Sequence, residues 1–211
     1  MNELLPSSLA SSLLAISSFA LVGAITPGPV NVLALRHGSQ GPHRLALCYV
    51  LGASVSYVGV VACMGWSSAQ LLLQMPYLSR SAQWLCAAYL LWLAWQLARA
   101  PTQASEQVVA QVQLRPWQAF GQGVMVQTLN PKAWLFALSA VGVFVLPAHS
   151  PPQSSLAVLC AISLLACLLG VGCWAMLGRA LVHWLRTPRR QQVLHRALAG
   201  LLVLSVLTML A

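Results

Sequence analysis

The chain has 211 residues, of which 59% are hydrophobic and only 6% are charged, and its mean hydropathy is +0.77. A soluble domain carries about 25% charged residues, so this composition excludes a conventional soluble protein and predicts an integral membrane protein. The formal net charge of +9 arises from 11 Lys and Arg against two acidic residues. Because the arginines stand between apolar runs, they indicate orientation in a bilayer rather than binding to nucleic acid.

Six apolar segments follow one another along the chain, each close to the roughly 20 residues that cross a hydrocarbon core. The first begins after Glu3 rather than after Lys or Arg, so it lacks the positive start of a signal peptide and is predicted to remain as a helix. The segments cover about Ser8–Leu35, Leu45–Trp66, Ala82–Ala98, Trp117–Leu146, Leu156–Leu177 and Val193–Leu210.

The connections between these segments predict the orientation. Nine of the ten arginines lie in the first, third and fifth connections or at their flanks, whereas the second connection carries only Arg80 and the fourth carries none. Short cytoplasmic loops are enriched in Lys and Arg. We therefore predict that the odd-numbered connections face the cytoplasm and that both termini face the periplasm.

The first and fourth segments are unusually long, and each is interrupted by a proline motif. These motifs are Thr26-Pro27-Gly28-Pro29 and Asn130-Pro131-Lys132. Proline removes a backbone hydrogen bond from a helix, and a lysine at mid-bilayer depth costs about 2.5–3.5 kcal/mol. Matching interruptions in two inverted three-helix halves are typical of a transporter binding site. We predict an all-α membrane protein whose halves are residues 1–112 and 113–211, with the first and fourth helices broken.

With these two motifs, six segments and a polar middle connection, the chain resembles the LysE/RhtB family of bacterial amino-acid exporters. The resemblance implies efflux of amino acids or close derivatives across the inner membrane by alternating access, coupled to protons. Many members place an aspartate in the second segment, where this chain has Ser56 and Tyr57. That departure removes any proton or cation role carried by the aspartate.

The absence of that carboxylate bears on the substrate. A buried cationic side chain needs an anionic partner, so neutral amino acids with small polar or aliphatic side chains are expected rather than basic ones. We expect Lys132 and the half-helix ends to hold the substrate carboxylate, and carbonyls and amide side chains at the breaks to receive its ammonium. The candidate substrate-binding residues are Thr26, Pro27, Gly28, Pro29, Asn31, Gln127, Asn130, Pro131 and Lys132.

Each of these features also has a purely structural interpretation. Lys132 could extend its stem to the cytoplasmic interface or lie in a re-entrant hairpin, and the prolines could only kink a helix. Three small residues at helical spacing, Gly52, Ser56 and Gly59, predict close helix packing rather than contact with substrate. The five histidines lie in connections or flanks, so they are predicted to be solvated.

Other classes of protein fit less well. An embedded enzyme needs a converging nucleophile, base or metal. No acidic residue falls within a predicted segment, and the histidines are assigned to connections or segment flanks. The cysteines lack ligand spacing, so neither a metal nor another cofactor is expected. A metal-ion exporter and a non-transporting scaffold are the alternatives, and homo-oligomers are left open. Lys132 is the candidate proton carrier, with passive, substrate-driven efflux as the simpler mechanism.

Overall fold

The computed structural model describes residues 4–66, 84, 87–88, 91–96, 98–99, 114–146, 152–181, 184 and 187–210. Throughout these residues the regular structure is helical and no strand occurs, in agreement with the predicted all-α class. The helices are α1 (Leu4–Ile25), α2 (Pro29–Gln40), α3 (His43–Trp66), α4 (Pro116–Thr128), α5 (Pro131–Phe144), α6 (Pro152–Ala180) and α7 (Pro188–Leu210).

Proline sets where most of these helices begin. Five of the seven helices named here, α2 and α4 to α7, start with proline. The ring fixes φ near the helical value, and the missing N–H would have had no partner in the first turn. The prolines that looked like helix breakers in the sequence are therefore also the first residues of new helices.

The predicted segments correspond closely to these helices where the chain is described. The first segment is α1 and α2, which are bent by 65° at the break between them. The fourth is α4 and α5, separated by Leu129 and Asn130. The second, fifth and sixth correspond to α3, α6 and α7. Seven of the 17 residues of the third segment, and both acidic residues of the chain, lie outside the described residues.

Two of the described helices are long and apolar enough to cross a bilayer: α3, and the part of α6 from Gln153 to Ala180. Counting the bent pair α1 and α2 as one span makes three. One face of α6 carries apolar side chains that are 60–73% exposed, namely Leu165, Leu169 and Met176. Exposed apolar area of this extent suits contact with lipid. A count of six spans remains a prediction.

Helices α3 and α6 pack against each other at the centre of the fold. Both halves of the first broken segment, α1 and α2, pack on α6, while α4 and α5 pack on α3. Glycine brings backbones together at these contacts: a Cβ on Gly52 would clash with the Phe120 carbonyl, and one on Gly178 with the Leu35 carbonyl. The predicted packing role is thus confirmed for Gly52. It is wrong for Gly59, where an added Cβ would meet no atom of another described helix within 4 Å.

Candidate functional site

Side-chain hydrogen bonds stabilise the break between α1 and α2, called the first break below. Helix α1 ends at Ile25, and Gly28 precedes α2 in an extended conformation. The Asn31 Nδ2 group donates to the carbonyl oxygens of Ala24 at 2.9 Å and Thr26 at 2.8 Å. The indole N–H of Trp174 on α6 donates to the Ile25 carbonyl at 2.9 Å. Carbonyls that lose their helical partners at the break therefore gain side-chain donors instead.

Hydrogen bonds also stabilise the break between α4 and α5, called the second break below. Asn130 is the N-cap of α5, and its Oδ1 accepts a hydrogen bond from the Lys132 backbone N–H at 3.2 Å. The indole N–H of Trp134 donates to the carbonyl of Thr128, the last residue of α4, at 2.7 Å. The Ser56 hydroxyl lies 2.8 Å from the Thr128 hydroxyl. In both breaks a tryptophan thus satisfies the terminal carbonyl of the preceding half-helix.

Lys132 joins the two breaks. Its ammonium donates to Thr26 Oγ1 at 2.7 Å and to the Thr26 carbonyl at 3.0 Å. The same ammonium lies 3.9 Å from the position of a Cβ on Gly28 and 5.6 Å from the Phe136 ring centroid. Lys132 is the only lysine of the chain, and its described partners are neutral oxygens. The head group is therefore directed at the first break.

A cavity of about 30 Å³ lies where the breaks meet. On the order of 10–15 Å³ of such volume holds one water molecule, so the cavity has room for about two. An amino acid would need the surrounding helices to separate. Six of the nine predicted residues line the cavity: Thr26, Gly28, Asn31, Gln127, Asn130 and Lys132.

The three predicted prolines have a different place. Pro29 and Pro131 are the first residues of α2 and α5, and Pro27 is an exposed residue between α1 and α2. None of the three lines the cavity. Proline is favoured at the first position of a helix, so Pro29 and Pro131 determine where the half-helices α2 and α5 begin rather than forming the wall of the cavity.

The cavity also contains side chains that the sequence did not single out as site residues. Tyr57 on α3 and Cys167 and Val171 on α6 form part of its wall, together with Phe136 on α5. Apolar helical residues of this kind carry no local signal, because helix packing determines which of them face the cavity. The tryptophans inside apolar segments do carry a local signal, because an indole N–H within a membrane segment needs a hydrogen-bond acceptor.

The prediction that the histidines are solvated is wrong for His37. Helix α2 continues to Gln40, and His37 is buried with 8% of its surface exposed. Its Nε2 donates to Gln122 Oε1 on α4 at 2.8 Å, and its ring stacks on Tyr49 with centroids 4.7 Å apart. The Tyr49 hydroxyl in turn donates to the Val30 carbonyl at 3.0 Å. A polar cluster therefore connects α2, α3 and α4.

The remaining histidines divide. His195 on α7 is also buried, at 2% exposure, so its prediction is wrong as well. His43 is exposed, as predicted. His149 and His183 lie outside the described residues.

Comparison with known proteins gives a match over most of the chain. The model of the LysE type translocator family matches residues 21–210, a range that contains both breaks. A cysteine/O-acetylserine efflux protein of Salmonella paratyphi A is 31% identical over 189 residues, covering 88% of this chain and 91% of that protein. The protein of that name from Escherichia coli K12 is 30% identical over 192 residues, with the same coverage. No solved structure matches the chain.

Proposed function

The chain belongs to the LysE type translocator family, and we propose from this premise that it exports small, neutral amino acids from the bacterial cytoplasm by alternating access. Proteins of this family are transporters and not enzymes. The names of its relatives support amino-acid efflux across the inner membrane in general. They also suggest the first substrates to test, since cysteine and O-acetylserine are both small and carry uncharged side chains.

One observation carries the proposal: the Lys132 ammonium lies between two broken helices and is neutralised by no carboxylate side chain of the described residues. Both acidic residues of the sequence, Glu3 and Glu106, lie outside those residues. The Lys132 ammonium donates two hydrogen bonds to Thr26, and both acceptors are neutral oxygens. A substrate carboxylate is a stronger acceptor for an ammonium than a carbonyl or a hydroxyl. We expect substrate to replace Thr26 as the partner of Lys132.

The same site has polar groups for the substrate ammonium. The amides of Asn31, Gln127 and Asn130 line the cavity, and carbonyls lie at both breaks. A basic side chain would bring a second positive charge without an anionic partner, and an unpaired buried charge is costly. Neutral substrates are therefore favoured over lysine or arginine.

The two halves of the chain, residues 1–112 and 113–211, would form the inverted repeat. Supporting this, each broken segment packs on the middle helix of the other half, α1 and α2 on α6 and α4 and α5 on α3. In such an arrangement one set of helices rocks against the other around a fixed central site. The arginine-rich connections would face the cytoplasm, and the termini the periplasm.

Transport by purified protein in liposomes tests the proposal. We expect efflux of cysteine, O-acetylserine and serine to exceed that of lysine and arginine by at least tenfold. Lys132→Met should lower efflux about 10- to 100-fold, the loss of one charge-assisted hydrogen bond. Arg189→Gln removes a positive charge at an exposed position and should leave efflux unchanged. Preferred export of lysine or arginine would refute the assignment.

The coupling mechanism has its own test in the same liposomes. If Lys132 carries the proton, the residual efflux of Lys132→Met should no longer respond to an imposed pH gradient. A variant that retains the full response would show that the proton is carried elsewhere. Efflux that ignores the gradient in the wild-type protein would instead indicate passive, substrate-driven export.

A further inference from the structure

Asn31 presents a hydrogen-bond acceptor that none of the described residues uses. The residue is buried, with 4% of its surface exposed, and it lines the cavity. Its Oδ1 atom has no hydrogen-bond donor in the part of the chain that the structure describes. A buried acceptor left without a donor costs free energy equivalent to about 5- to 150-fold in an equilibrium constant. Such an atom in a candidate site calls for a ligand with a donor.

The orientation of this amide is fixed by its other end. Both Nδ2 hydrogens are engaged, one by the Ala24 carbonyl and one by the Thr26 carbonyl. Rotating the amide by 180° would set Oδ1 against two carbonyl oxygens and lose both bonds. The hydrogen-bond network therefore assigns the oxygen to the position without a donor.

The neighbouring amide differs in this respect. Asn130 Oδ1 already accepts the backbone N–H of Lys132, so its oxygen serves the second break. Lys132 reaches the same Thr26 carbonyl that Asn31 binds. The Asn31 oxygen and the Lys132 ammonium are thus positioned around one residue, with opposite hydrogen-bonding character.

We propose that Asn31 Oδ1 accepts the α-ammonium of the substrate while Lys132 binds its carboxylate, so that a free amino group is required for export. The inference rests on the proposed function and sharpens it: N-acylated and des-amino acids are excluded, whatever their side chain. An N-acyl group replaces a charged donor by a neutral one and adds bulk at the oxygen. A des-amino acid leaves the acceptor unpaired.

Three compounds that share a thiol and a carboxylate but differ at the amino group test whether a free ammonium is required for export. L-cysteine has the free ammonium, N-acetyl-L-cysteine has it blocked, and 3-mercaptopropionate lacks it. In liposomes kept under reductant, we expect the wild-type protein to export cysteine about 10- to 100-fold faster than either analogue, the value of one charge-assisted hydrogen bond. In Asn31→Ala the ratio of cysteine to 3-mercaptopropionate should fall to near one.

The ratio distinguishes substrate recognition from a structural role of Asn31. If its Nδ2 bonds only hold the first break together, Asn31→Ala lowers all three rates by one factor and the ratio stays high. Ser56→Ala is the matched control, since Ser56 bonds the second break without lining the cavity. It should slow all three compounds and preserve the ratio.

A second variant guards against a misfolded Asn31→Ala protein. Asn31→Asp retains an acceptor for the substrate ammonium, but it loses the Nδ2 donors and adds a carboxylate that competes for Lys132. It should therefore be less thermally stable and export all three compounds more slowly, yet keep the preference for cysteine over 3-mercaptopropionate. A wild-type protein that exports cysteine and 3-mercaptopropionate equally overturns the Asn31 inference but leaves amino-acid export intact. A wild-type protein that exports no amino acid overturns both.

Discussion

The contact between α2 and α6 supports a quantitative prediction about two glycines of one helix. A Cβ at Gly178 would lie 2.9 Å from the Leu35 carbonyl carbon and closer still to its oxygen. A Cβ at Gly172, six residues earlier, would meet no atom within 4 Å. Both residues lie in α6, so alanine gains the same helix propensity at each, about 0.5–1 kcal/mol. The two substitutions therefore differ in the packing against α2.

The expected difference in stability arises because a Cβ on Gly178 would meet backbone atoms rather than a side chain. The Leu35 peptide lies inside α2 and cannot rotate aside as a flexible side chain would, so the two helices must separate. Overpacking of this kind costs about 1–3 kcal/mol. We expect Gly172→Ala to be neutral or stabilising by up to about 1 kcal/mol. Gly178→Ala should be less stable than Gly172→Ala by about 1–3 kcal/mol, or 5- to 150-fold in the unfolding constant.

The free energy of unfolding in mixed detergent micelles, measured for the wild-type protein and both variants, checks this expectation. Gly38→Ala approaches the same interface from α2, where the added Cβ would lie 2.8 Å from the Ala175 carbonyl carbon. It should therefore behave like Gly178→Ala. Equal stabilities of the Gly172 and Gly178 variants would refute the close backbone packing of α2 on α6.

Two further predictions concern the tryptophan caps and the cavity wall. Trp174→Phe keeps an aromatic ring but loses the hydrogen bond to the Ile25 carbonyl, so it should lower the free energy of unfolding by about 1 kcal/mol. Trp66→Phe, at an 89% exposed position, is the control and should leave the free energy of unfolding unchanged. Equal losses in the two variants would argue against the hydrogen bond from Trp174. In detergent-solubilised protein, Cys167, 2% exposed, should react with a small membrane-permeant thiol reagent on the order of 100-fold more slowly than the exposed Cys63, because it needs an opening of the structure. O-acetylserine should slow the reaction further, and equal labelling of the two cysteines by mass spectrometry would contradict the burial of Cys167.

The residues that the sequence located in the site share one property: they are unfavourable within an apolar helix. Asn130 and Lys132 are polar in a long apolar run, and Thr26 precedes two prolines. Because lipid satisfies no backbone group, such residues indicate a break regardless of how the helices pack. Six of the predicted residues could be located in this way, and the structure brings them around one cavity.

The residues that the sequence missed depend on packing between distant segments. Cys167 and Tyr57 resemble other lipid-facing or core positions until α3 and α6 are placed together. His37 was misassigned because α2 extends past the apolar segment and because its partner, Gln122, lies 85 positions away. The charge pattern predicts a membrane orientation, but a bond of that sequence separation has no local signature.

Close backbone contacts at glycine join α1 and α2 to α6, and α3 to α4. With α5 packed on α3, the described helices form two units, one of α1, α2 and α6 and the other of α3, α4 and α5. Several polar contacts between the units are made by side chains: Lys132 with Thr26, His37 with Gln122, and Tyr49 with the Val30 carbonyl. Each is worth about 0.5–1.5 kcal/mol net, so breaking all three costs only a few kcal/mol. The packing of α3 on α6 also joins the two units. Exposing the cavity therefore requires that interface to shift together with the three polar contacts, while the close backbone contacts within each unit stay intact.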